Sequence, residues 1–86
     1  MKEYKATVTQ EIINESDILH AKNCIGVNTL KTIFPENEIV WGDSFGWVKI
    51  DNEVTVFKSI DNEGNRVSMM HIKDVTEVVF IELFKV

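Results

Sequence analysis

Apolar and polar positions alternate most densely between Glu38 and Ile60, EIVWGDSFGWVKIDNEVTVFKSI, and the alternation predicts two successive β-hairpins. Glu38–Trp41 and Trp47–Ile50 are short runs rich in β-branched and aromatic residues. They flank Gly42-Asp43-Ser44-Phe45-Gly46, where glycine can supply the positive φ of a tight reversal. A three-residue loop, Asp51-Asn52-Glu53, would pair Ile50 with Val54. It sets Val48, Ile50, Val54 and Val56 on one face and Trp47, Lys49, Thr55 and Phe57 on the other, a sorting that a two-residue loop would scramble. Gly64 suits the left-handed position of a bulged loop over Asp61–Asn65. Arg66–Ile72 then reads as a returning strand, with Val56 opposite Met70 and Val54 opposite Ile72. The second face collects Trp47, Phe57, Val67, Met69 and His71, too apolar a set for water alone, so it calls for a cover.

The flanking segments complete the picture. Tyr4, Ala6 and Val8 alternate with Lys5, Thr7 and Thr9, so Glu3–Ile13 reads as a half-buried strand. The period then changes. Asn14 or Ser16 can cap a short helix carrying Ile18, Leu19, Ala21 and Ile25 and ending near Gly26. A second helical turn runs from Asn28 to Phe34, is stopped by Pro35, and turns Leu30, Ile33 and Phe34 toward the sheet. Thr76–Val86 is apolar on both faces, Val79, Ile81 and Leu83 on one and Val78, Phe80, Phe84 and Val86 on the other, as in a strand covered on both sides. The expected fold is α+β, one compact domain over residues 1–86. Its predominantly antiparallel sheet has five to six strands, strongly curved or closed into a small barrel, with one or two short helices after the first strand. HIKDVTEVVFIE resembles the I-x-D-V-x-x-V pattern of small β-barrel modules of the pleckstrin-homology-like and Sm-like kinds. That resemblance implies a strand, a turn and a strand, and no activity.

Charge narrows the partners. Through Pro35 the chain has four acids and four bases; from Glu36 onward it has ten acids and five bases, so the net −5 sits on the β-rich part. Such a surface disfavours nucleic acid and anionic lipid. One cysteine, Cys24, allows no internal disulfide, and the N-terminal residues lack a signal-peptide core, so a cytoplasmic location is expected. No window is long and apolar enough to span a membrane. At 86 residues burial is limited, and a sheet with two apolar faces gains from a partner subunit, so a homo-oligomer is expected.

Few residues carry chemistry. His20 and Cys24 stand four apart, which on a helix puts both on one side, but two ligands are too few for a structural metal site; no metal and no cofactor is expected. No catalytic triad or phosphate-cradling glycine loop can be assembled, and the chain reads as no enzyme. Acids recur two apart at Glu15/Asp17, Glu36/Glu38, Asp51/Glu53 and Asp61/Glu63. That spacing is about 6.6 Å in an extended chain, on the scale of nucleic-acid phosphates, so they serve either as a mimic of one or, in turns, as an acidic docking surface. Trp41, Phe45 and Trp47 around Asp43, with Phe57 and the acids Asp61 and Glu63, are the candidate partner-binding residues, since tryptophan anchors interfaces. The expected function is a non-enzymatic protein-binding module, an inhibitor or modulator of the kind phages make, by analogy. The alternatives are a small-molecule binder, holding a nucleotide-like ligand between stacked rings and Lys49, Lys58 and Arg66 at a subunit interface, and a small-barrel nucleic-acid binder.

Overall fold

The computed structural model describes residues 2–86. Its elements are β1 (Glu3–Val8), α1 (Gln10–Glu15), α2 (Ile25–Leu30), β2 (Ile39–Trp41), β3 (Phe45–Ile50), β4 (Glu53–Ile60), a 3₁₀ turn (Met69–His71) and β5 (Thr76–Lys85). The five strands form one antiparallel sheet in the order β1-β5-β4-β3-β2. The α+β class, the five strands and the short helices after the first strand are as expected. The sheet stays open, however, because β1 and β2 lie at opposite edges and do not pair. β5 lies between β1 and β4, and Val78, Val79, Phe80 and Ile81 along it are all buried, Val78 and Phe80 within the core.

Local chemistry moves the helices from their expected places. Thr9 caps α1 by accepting from the Ile12 N–H (3.2 Å), so the helix starts directly after β1 and Ser16 ends it. The expected helix over residues 16–26 does not form. Asp17 accepts from the Leu19 N–H (3.0 Å), a local bond that competes with helix, and Ile18 and Leu19 are left exposed. α2 begins after Cys24, ahead of the expected cap at Asn28, and hydrogen-bonded turns continue it to Phe34 before Pro35. Leu30, Ile33 and Phe34 face the core as expected.

The β3–β4 connection corrects the expected register. Asp51 and Asn52 both have positive φ (52° and 65°), which makes a two-residue turn whose twist matches the strands. Ile50 therefore pairs with Glu53, Val48 with Thr55 and Trp47 with Val56. Phe57 joins Val48 in the core, while Val54 and Val56 turn to the side of Trp47. In the β2–β3 turn neither Gly42 nor Gly46 has positive φ.

The Asp61–Asn65 loop closes as expected, with Gly64 at φ 87° and Asp61 N–H bonded to Asn65 O (2.8 Å). The returning strand does not follow. β3 already occupies that edge of β4, since Ser59 N–H binds Ser44 O (2.9 Å), and the returning chain makes one bridge, Arg66 to Ile60, and one bond from Val67 N–H to Ser59 O (3.0 Å). It then leaves the sheet for the 3₁₀ turn. Asp43 anchors it there: its carbonyl accepts from Met69 N–H (2.8 Å) and its carboxylate from the Ser68 hydroxyl. Met69 is buried in the core and pairs with no strand.

The core lies between the sheet and α2, closed by the 3₁₀ turn. Trp41 is its centre, 1% exposed, with its indole N–H donated to Asp43 O (3.1 Å) and its ring edge-on to Phe80 at 5.3 Å. Two glycines admit the ring by close approach. A Cβ at Gly26 would lie 2.7 Å from Trp41 Nε1, and one at Gly46 2.6 Å from Trp41 Cε3, so the indole is held between α2 and β3. Tyr4, Phe34 and Phe57 form a second aromatic group at 5.2 to 6.0 Å.

Candidate interaction face

The helices cover one face of the sheet. Among the described residues no helix or strand covers the other face, although alternation places apolar residues on it. Register puts Val40 opposite Trp47, Trp47 opposite Val56 and Val56 opposite Phe84, an apolar row across four strands. With Phe45 and Val86 these residues line a groove of about 460 Å³ whose walls are almost wholly apolar. Phe45 is 63% exposed and Phe84 56%, with Leu83 and Val86 also exposed beside them. Exposed apolar residues elsewhere, such as Val75, Met70 and Leu19, do not join this groove, so it is the contiguous patch that asks for a partner.

A β-bulge builds half of this surface. Phe57 pairs with Glu82 but Val56 with Phe84, so Leu83 is the extra residue in β5. Strict alternation would send Phe84 and Val86 to the core side with Phe80. The bulge instead turns Phe84 out beside Trp47 and Val56, while Leu83 keeps the side of Ile81 and lines a cleft with Phe45. This corrects the expected sorting of β5.

A second cleft, about 300 Å³, adjoins the groove and shares Phe45 with it. Lys58, Arg66, Ser44, Ile60, Gly64 and Leu83 complete its lining, with no carboxylate among them. Among the described residues one ion pair falls within 4.0 Å, Lys85 with Glu53, so Lys58 and Arg66 have no acidic partner. Lys49 does not join them. It lies toward the other end of β3, opposite Val54 and beside Glu38, whose carbonyl accepts its N–H (2.9 Å).

The expected site residues divide. Trp47 and Phe45 lie on the open face. Trp41 and Phe57 are inside the core, at 1% and 0% exposure, and present no surface to a partner. Asp43 is tied to Ser68 and Met70 and serves the fold. Asp61 and Glu63 line a different hollow at the end of β4, with Thr76 and Glu77. The Asp61 carboxylate accepts from the backbone N–H groups of Asn65 and Glu63 (both 2.9 Å); the Asn65 bond is chiefly what holds it below the usual carboxylate range. Asp51/Glu53 and Asp61/Glu63 stand at opposite ends of β4, some eight residues and about 26 Å apart, so the acid pairs do not line up as one row.

Comparison with family models, with curated proteins and with solved structures returns no match. The fold and its surfaces alone therefore carry the functional reading. His20 and Cys24 do not share a helix: residues 17–23 form turns, His20 is exposed, and Cys24 is buried with its thiol 3.9 Å from Trp41 O. Among the described residues no three of His, Cys, Asp and Glu come together as a metal site. Among the described residues no helix is long and apolar enough to cross a membrane. Sequence reasoning missed Val40, Val56, Leu83, Phe84 and Val86 as surface residues because their facing depends on the turn and the bulge.

Proposed function

We propose that this protein is a non-catalytic binding module that docks another protein on the open face of its sheet and thereby modulates it. The observation that carries the reading is the apolar row Val40–Trp47–Val56–Phe84, left bare by a chain whose core is complete on the opposite face. Trp47 is its natural anchor, a large ring at the centre of a groove with exposed aromatics around it. The test is affinity capture by the wild-type chain and by Trp47→Ala and Phe84→Ala, with light scattering on the same samples. The reading expects a defined partner that both variants lose while their melting curves stay close to wild type. A dimer that already buries Trp47, or a partner retained by both variants, would sink it.

A second reading rests on one observation: Phe45, Lys58 and Arg66 line a common cleft. There a ring could stack on Phe45 and an anion meet the two cations, as in a binder of a nucleotide-like ligand. The cleft, at about 300 Å³, is at the small end for such sites. A melting-temperature rise with a nucleotide panel, lost in Arg66→Ala, supports it; no shift with millimolar nucleotide removes it.

A further inference from the structure

We infer that the element received by the open face is an acidic amphipathic helix of the partner, its apolar ridge along Val40–Trp47–Val56–Phe84 and its carboxylates against Lys58 and Arg66; this rests on the protein-docking reading above. Charge is the first argument. In a chain of net −5, the cleft that opens off the apolar groove holds two cations and no acid, and neither cation has an ion-pair partner among the described residues. A carboxylate arriving there gains charge-assisted hydrogen bonds beside surface that docking itself removes from water. The repulsion between two acidic proteins acts at longer range and is screened beyond about 8 Å at physiological salt.

Spacing is the second argument. The row crosses four strands about 4.8 Å apart, a span of about 14 Å. Successive turns of a helix present apolar side chains every ~5.4 Å, or ~16 Å over three intervals. An extended segment presents same-face side chains every ~6.6 Å, ~20 Å over three, and runs out of step. A helix laid along the row also places its flank over the neighbouring row, where Phe45 pairs with Lys58 and Lys58 with Ile81.

A second copy of this chain fits less well. It brings the same cations to the same interface, and neither the groove nor the adjoining cleft has a carboxylate in its lining to set against them. Lys58 and Arg66 would again lack partners.

The experiment uses three labelled helical peptides of about five turns. Two have the same leucine ridge, one flanked by Glu and one by Lys; the third scrambles the first. Anisotropy reads affinity, and the Trp47 indole resonance reports the site. The Glu peptide should bind at least tenfold tighter than the Lys peptide and move the Trp47 signal, and Lys58→Glu/Arg66→Glu should reverse that preference with little change in melting temperature. Equal binding of both ridged peptides overturns the acidic preference and leaves the docking reading standing. Binding of neither by a monomer overturns the helix inference alone, and binding of neither by a dimer with Trp47 protected overturns both.

Discussion

Replacing Gly26 with alanine sets two known effects against each other. Gly26 lies in α2, where alanine is favoured over glycine by about 1 kcal/mol. Against this, the new Cβ would sit 2.7 Å from Trp41 Nε1 and nearer still to the adjacent ring carbons, where contact at about 3.5–4.0 Å is comfortable. The ring would have to move by roughly 1 Å to restore that contact. It has little room, because Gly46 approaches its other side and Phe80 stands edge-on at 5.3 Å. Overpacking of this kind costs about 1–3 kcal/mol, so against the helix gain of about 1 kcal/mol the net effect is a loss of about 0–2 kcal/mol, toward the upper end because the ring has little room. A domain of 86 residues holds on the order of 4–13 kcal/mol in total, so the variant still folds. Its melting temperature should fall by up to about 15 °C. Thermal and urea unfolding by circular dichroism measures the change. Adding Trp41→Phe should show coupling, the pair costing less than the two single changes together. A Gly26→Ala protein that melts higher than wild type would refute the packing of α2 on Trp41.

Phe57→Ala should cost about 3–5 kcal/mol because its ring is wholly buried, whereas Trp47→Ala should cost about 1 kcal/mol or less, a contrast that denaturant titration resolves and that a reversed order would contradict. Thr55 is wholly buried and its hydroxyl has no partner, so Thr55→Val, of nearly the same shape, should raise stability by about 1 kcal/mol and the melting temperature by some 4–8 °C; a lower melting temperature would mean the hydroxyl is bonded. Asp61 has a depressed folded-state pKa, so its contribution is present above the unfolded value of about 3.9 and is lost as pH falls through the folded value. Carbon-detected titration should place Asp61 below ordinary aspartates, and Asp61→Asn should flatten the acid limb of the stability curve; titration at or above the ordinary range would contradict the loop geometry.

Much of the architecture was legible in the chain. The first strand as far as Val8, though not on to Ile13 where α1 takes over, the apolar β5, the Gly64 loop and the inward set Leu30, Ile33 and Phe34 follow from periodicity and local turn chemistry. The first expected helix did not form because Thr9, Asn14 and Ser16 are all competent caps: Thr9 took the role, α1 packs on α2, and residues 17–23 became turns. The Arg66–Ile72 segment has strand composition, but β3 had already taken the edge it needed.

The sequence by itself determined that this is a small α+β domain with an antiparallel sheet, an acidic surface and more apolar strand positions than one core can absorb. Which of those positions face out was decided in three dimensions. The Asp51-Asn52 turn, one residue shorter than expected, puts Val56 in place of Phe57 on the side of Trp47, and one extra residue in the β5 bulge sends Phe84 outward instead of to the side of Phe80. Strand side chains alternate with a period of two, so a single-residue shift moves every later side chain to the opposite face. Alternation shows that two sets exist. Only the pairing of β4 with both its neighbours shows which set is the core and which is the open face.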